Sequence, residues 1–208
     1  MNKKFVINIG RQLGSGGRLI GEKLASQFDI AFYDKELIQI ASKESGLGKE
    51  FFEKADEKKS HSIIGGLLGL RTNISNEVYV NNYLSNETFF KIQSDVILEL
   101  AEEKSCVFVG RCADYILRNH PRSVNLFITA NTDDRVNRVA HDQSLTLEKA
   151  LETIEKMDKK RAGYYNYFSN KVWGVAESYH LCINSSVLGI DDTVTFIREF
   201  VEHKLLNK

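Results

Sequence analysis

The chain is 208 residues long, 42% apolar and 27% charged, with a formal net charge of zero. That length and balance fit a single domain, 1–208, with one sizeable core and an insertion. Zero net charge excludes a nucleic-acid binder held by bulk electrostatics, although local basic patches survive that test.

In chain order, Phe5–Ile9 (FVINI) is a short β-rich run ended by glycine, the pattern of a buried strand. From Gly16 to Phe28 the spacing predicts a helix whose apolar face is Leu19, Ile20, Leu24 and Phe28. Ala31–Tyr33 is a brief strand, followed by helical patterns over Lys35–Ser42 and Lys49–Lys59. Residues Ser60–Ser85 have poor periodicity and many Gly and Asn, so they read as an irregular insertion. A long amphipathic helix is predicted from about Asn86 to Lys104, and Cys106–Val109 is a second buried strand. A short helix ends before Pro121, and Val124–Ala130 (VNLFITA) is the clearest strand. Thr132 and Thr146 are predicted N-caps of the next two helices, the second running through Met157. His180–Asn184 closes the strands and Asp191–Leu206 the helices.

Strands and helices thus alternate, and the strands are short buried runs without in–out alternation. This is the signature of an α/β fold whose parallel sheet is covered on both faces. Such sheets bind ligands outside the carboxyl ends of their strands, so the residues after Ile9, Val109 and Ala130 are the place to look for chemistry.

After the first strand comes Gly10-Arg11-Gln12-Leu13-Gly14-Ser15-Gly16-Gly17-Arg18, then a helix. Glycines permit positive φ, so successive backbone N–H groups can converge on one anion, and the helix adds its positive end. Strand, glycine turn and helix in this order make the segment a candidate phosphate loop. With Gly14-Ser15-Gly16 as its terminal glycines, the usual lysine position holds Gly17 and the usual Ser/Thr position holds Arg18. Arg18 or Arg11 is then left to supply the charge, and Ser15 the hydroxyl.

Arg111 stands just past the Cys106–Val109 strand, placed either as a solvated side chain or for bidentate capture of an acceptor phosphate. Asp114, one helical turn on, is positioned to orient Arg111 or to touch a sugar or base. Arg135 and Arg138 share a helix face at i, i+3, as a salt-bridged surface or as site residues. Asp158-Lys159-Lys160-Arg161 follows the helix predicted to end at Met157 and precedes the aromatic run Tyr164–Phe168. A basic cluster there answers the helix dipole or serves a closing lid over transferring phosphate.

Cys106, Cys112 and Cys182 have no metal-like spacing and read as reduced core thiols, and the five histidines are too scattered for a metal cage. The apolar run at the N-terminus is too short for a signal peptide, and Ile63–Leu70 is only about a third of a membrane span. A soluble, cytoplasmic chain without membrane association is expected.

Several segments together resemble the cytidylate-kinase-like family of P-loop nucleoside monophosphate kinases, across nearly the full chain. They are IGRQLGSGGRLIGEKLA, FYDKELI, KADEKK, KIQSDVILELAEEKSCVFVGRCADYIL, LFITANTDDRVNRV, IEKMDKKRAGYYNYF and YHLCINSSVLGIDD. The resemblance implies a three-layer fold of the P-loop NTPase type with a five-stranded parallel sheet. It further implies an acceptor-binding region over 35–104, containing the insertion 60–85, and a helical lid over 142–173. It implies ATP and Mg²⁺, with Gly14, Ser15, Gly16, Gly17 and Arg18 cradling the ATP phosphates. Asp34 would stand at the mouth of the acceptor site and Arg111 would hold the acceptor phosphate. Arg135, Asp158 and Arg161 would close over donor and acceptor. Two positions depart from the family: Cys112 stands where an aspartate usually follows Gly-Arg, and the phosphate-loop lysine is displaced. An ATP-dependent phosphotransferase acting on a nucleoside monophosphate or a similar small phosphorylated acceptor is the expected activity, and a catalytically weak or inactive nucleotide-binding regulatory module is the alternative.

Overall fold

The computed structural model describes the backbone of residues 4–34 and 77–206 and the side chains of 4–34 and 87–205. The helices expected over Lys35–Ser42 and Lys49–Lys59, and the Ile63–Leu70 stretch, lie outside the described residues. Five strands form one parallel sheet: β1 (Val6–Arg11), β2 (Ala31–Tyr33), β3 (Cys106–Val109), β4 (Ser123–Thr129) and β5 (Leu181–Asn184), in the order β2-β3-β1-β4-β5. β1 therefore runs through the middle, with Ile9 beside Val109 on one flank and Leu126 on the other. Ligand-binding crevices of parallel sheets open outside such a central carboxyl end.

Ile7, Ile9, Val107, Val109, Leu126 and Ile128 form one buried core cluster with residues of α1 (Gly17–Phe28) and of the last helix, α6 (Ser185–Leu206). From α1 come Ile20 and Leu24, and from α6 Val194, Ile197 and Val201, all at most 1% exposed. Burial of each such side chain contributes ~1.5–3 kcal/mol. Leu19, expected on the same face, is 45% exposed. One helical step is about 100°, and the buried positions Ile20, Gly21 and Leu24 already fill the stripe.

The remaining described helices are α2 (Glu77–Glu103), α3 (Ala113–Ile116), α4 (Thr132–Gln143) and α5 (Leu147–Ser169). α2 begins well ahead of Asn86, so 77–85 are helical and not irregular as their composition predicts. Once a helix is nucleated each added residue gains a hydrogen bond, and Asn or Ser costs only tenths of a kcal/mol against that. α5 runs on past Met157, which puts Asp158–Arg161 in mid-helix and removes the helix-end reading of that basic cluster. Thr146 caps α5 as expected, accepting from the Lys149 amide at 3.3 Å, whereas the N-cap position of α4 is Asn131, which makes no side-chain cap hydrogen bond, and Thr132 is its first helical residue. α6 starts at Ser185 and is broken by Gly189 at φ 75°, ψ 176°, so Asp191 opens its second segment.

Cys106 and Cys112 are buried, as core thiols should be, but Cys182 is exposed because β5 is an edge strand. The chain divides into two compact units, one of Met1–Lys35 with Leu98–Lys208 and one of Glu36–Ile97. Everything described below belongs to the first unit. No helix among the described residues is long and apolar enough to cross a membrane.

Candidate functional site

At the carboxyl end of β1 the chain turns through Gln12–Gly16 before entering α1. Gly14 and Gly16 take φ 76° and 75°, a region L-residues rarely adopt. Gly14 is also too crowded for a side chain, since an added Cβ would lie 2.7 Å from the backbone carbonyl oxygen of Arg135, whereas at Gly16 it would press on the terminal methyl of Ile190. Among the described residues, the Gly14 and Gly16 amides donate to no protein acceptor. α1 has no side-chain cap and no acidic residue in its first turn. Its N-terminal dipole is therefore uncompensated, and two free amides sit beside it, which together make a seat for an anion.

The carbonyls of the turn are held from behind. The Arg135 Nε donates to the Leu13 carbonyl at 2.8 Å, and the Leu13 amide donates to Asp158 Oδ1 at 2.8 Å. Arg135 Nη2 also pairs with Asp158 Oδ2, both side chains being largely buried. Arg138 Nη1 donates to the Gly14 carbonyl, Arg161 Nη1 to the Arg11 carbonyl at 3.1 Å, and the Ser185 hydroxyl to the Ser15 carbonyl at 2.7 Å. Burial lowers the Arg161 pKa, with Arg135 contributing in the same direction and Asp158 opposing it. The predicted residues Arg135, Asp158 and Arg161 are thus brought to the loop itself.

Ser15 is fully buried, its hydroxyl donating to the Gln12 carbonyl at 2.8 Å and accepting from the Gly17 amide at 3.4 Å. A hydroxyl so enclosed does not fit the coordination of Mg²⁺, which keeps several waters and near-octahedral geometry. No cluster of His, Cys, Asp or Glu fit to hold a metal occurs among the described residues. Gly17, buried at the first position of α1, presents no side chain to the turn. Arg18 is turned along the helix, its Nε 2.9 Å from Asp34 Oδ2 and its Nη1 2.8 Å from Glu22 Oε1. Asp34, at the carboxyl end of β2, is itself buried.

Beyond β3 the chain passes through Gly110, Arg111 and Cys112 at φ 84°, 61° and 56°. Successive left-handed residues that are not glycine cost ~1–2 kcal/mol each, and such strain gathers at functional turns. The Arg111 guanidinium lies 5.8 Å from the Tyr164 ring centroid, within cation–π range. A Cβ on Gly110 would run into Arg11 Nη1, so the Arg11 side chain lies directly across the start of this turn. Arg11 and Arg111 are accordingly gathered at the neighbouring ends of β1 and β3.

Asp114 accepts a 2.7 Å hydrogen bond from the Tyr165 hydroxyl. Burial raises the Asp114 pKa above the usual carboxylate range, and it raises Tyr165 and Tyr179 further above the ordinary phenol value. Burial also pushes Cys112 up to about 12, so this residue is a neutral thiol at physiological pH. Sequence reasoning missed Tyr165 and Ser185. Tyr165 lay within an aromatic run, but nothing in its spacing pointed to Asp114.

The family model described as the cytidylate kinase-like family matches residues 6–187. An uncharacterized protein from Eubacterium ventriosum is 26% identical, with 96% of this chain and 99% of that chain covered and a TM-score of 0.72. Shikimate kinase from Bacteroides thetaiotaomicron is 15% identical, covering 95% and 98%, with a TM-score of 0.54. Shikimate kinase from Acinetobacter baumannii in complex with shikimate is 15% identical, covering 97% and 94%, with a TM-score of 0.50. These likenesses place the sheet and its helices in the P-loop fold. No curated protein matches the chain.

Proposed function

Because the chain belongs to the cytidylate kinase-like family, we propose that it is a cytoplasmic, ATP-dependent phosphotransferase acting on a nucleoside monophosphate or a similar small phosphorylated acceptor. The observation that carries this reading is the pair of unengaged amides at Gly14 and Gly16, set at the open head of α1 beside Arg11 and Arg111. Amides and helix end would seat the donor phosphates, and the two guanidinium groups would face the acceptor phosphate. No protein nucleophile is required, since phosphoryl transfer is accelerated by alignment and charge neutralisation.

Within this reading Arg111 holds the acceptor, its strained turn aiming the side chain across the strand ends. Asp34, fixed by Arg18, lines the acceptor mouth, and Asp114 backs the Arg111 turn through Tyr165. Arg161 carries positive charge to the junction of donor and acceptor from the lid, 142–173, while 35–104 supplies the acceptor region. Mg²⁺ bound with ATP would supply charge neutralisation, and the enclosed Ser15 hydroxyl would not be among its ligands.

A second reading, a nucleotide-binding regulatory module without turnover, is favoured by Gly17 in place of lysine and by the engagement of Arg18 with Asp34 and Glu22. Incubation with ATP, Mg²⁺ and a panel of nucleoside monophosphates separates the two. ADP formed with one acceptor is expected; ATP binding with no ADP from any acceptor selects the module. Shikimate belongs in the panel as an unphosphorylated acceptor, given the shikimate kinases among the structural neighbours. In the active case Arg161→Ala is expected to lower turnover at least tenfold while ATP still binds. Unchanged turnover removes the lid from the mechanism.

A further inference from the structure

Leu13 is gripped in three ways by one supersecondary unit, the α4–α5 hairpin. Its side chain packs against the small cluster formed by Val139, Ala150 and Ile154, which belongs to those two helices. Its amide is bound by Asp158 of α5 and its carbonyl by Arg135 of α4. The two charged partners are paired with each other, so the backbone N–H and C=O of Leu13 complete a closed ring with a carboxylate and a guanidinium. One residue further on, Arg138 of α4 takes the Gly14 carbonyl.

We infer that the Asp158–Arg135 pair is a positioning device for the donor-phosphate loop, setting its amide array before any ligand arrives. This assigns Asp158 to the loop backbone and not to contact with the acceptor. The physical logic concerns which way the peptide groups face. A glycine-rich turn has several nearly equal conformations, and only those with carbonyls directed away leave an amide cup for phosphate. Arg135, drawing the Leu13 carbonyl backward, turns the Gly14 amide of the same peptide outward, Arg138 holds the Gly14 carbonyl, and Asp158 keeps the preceding Gln12–Leu13 peptide from flipping. The side chain of Leu13, in the α4–α5 core, makes the loop and the hairpin move together. The role in phosphate binding rests on the kinase reading, whereas the clamp on the ligand-free loop does not.

The test is backbone amide hydrogen exchange on the ligand-free full chain, comparing wild type with Asp158→Asn and Asp158→Ala. Asparagine keeps an acceptor for the Leu13 amide but loses the charge opposite Arg135, and so stands in if alanine prevents folding. Exchange at Leu13 is expected to accelerate at least tenfold in Asp158→Ala, and by a smaller but measurable factor in Asp158→Asn, with Ile7 and Ile9 of β1 unchanged. Unchanged exchange at Leu13 overturns the inference. So does acceleration shared equally by β1, which would assign Asp158 to general stability.

Calorimetric titration with ATP adds the functional half. The Asp158 variants are expected to bind ATP at least tenfold more weakly, with the KM for the acceptor moving less than threefold. An acceptor KM that rises while ATP affinity holds overturns the assignment. If wild type itself binds no ATP, the kinase reading fails, and the exchange comparison still decides the clamp.

Discussion

Gly14→Ala is the sharpest single test of the loop. Alanine at φ 76° carries the left-handed penalty of ~1–2 kcal/mol. Its Cβ would also lie 2.7 Å from the Arg135 carbonyl oxygen, 3.0 Å from Arg135 Cα and 3.1 Å from its carbonyl carbon. Those atoms are backbone in α4 and cannot rotate aside, so overpacking adds ~1–3 kcal/mol, for a combined cost of ~2–5 kcal/mol. Gly163→Ala is the control: it sits mid-helix in α5 with nothing within 4 Å of an added Cβ, so the change should stabilise by ~1 kcal/mol. Urea unfolding followed by Trp173 fluorescence reads the right unit, because the single tryptophan packs edge-on to Phe127 of β4, with centroids 5.1 Å apart. Equilibrium binding of ATP to the same variants reads the loop geometry. A Gly14→Ala protein matching wild type in both midpoint and ATP affinity would refute the reasoning.

Three further outcomes are expected. Asp114 has a folded-state pKa raised by burial, so the folded protein binds its proton more tightly than the unfolded chain does. Stability should therefore fall as pH rises from the ordinary aspartate value, ~4, through the raised folded value. Asp114→Asn, which keeps an acceptor for Tyr165, should lose that slope in denaturation curves taken from pH 3.5 to 7, and an unchanged slope excludes Asp114 as its source. Arg111→Gly should leave unfolding stability within ~1 kcal/mol, because relief of the left-handed strain offsets the lost contact with Tyr164. Its acceptor KM should nevertheless rise at least tenfold in the ADP-release assay, and an unaltered KM would take Arg111 out of the site. Thr146→Ala should cost ~0.5–2 kcal/mol by removing the cap on Lys149. Calorimetry that finds no drop in midpoint would assign that cap no energetic weight.

The sequence by itself determined the class of fold and the position of the glycine turn between β1 and α1. Buried strands announce themselves by unbroken apolar runs, and a glycine turn between such a run and a helix carries its own conformational meaning, so β1, β3, β4 and the Gln12–Gly16 loop were legible. Thr146 was legible for the same reason, since a cap is written in residues three apart. The tertiary structure alone decided what the charged residues do. Asp158 and Arg135 meet the Leu13 peptide across sequence separations of 145 and 122 residues, and Arg161 reaches the Arg11 carbonyl across 150. Local spacing placed Asp158–Arg161 at a helix end, but burial of Tyr165 and Ser169 carries α5 past it. Leu19 and Cys182 fell on the wrong side for a similar reason: composition says that a residue is apolar, and only the neighbouring helix or the missing neighbouring strand says whether that apolar surface is covered. Periodicity reports the environment along one element, whereas a side chain's role depends on which distant backbone the fold carries to it.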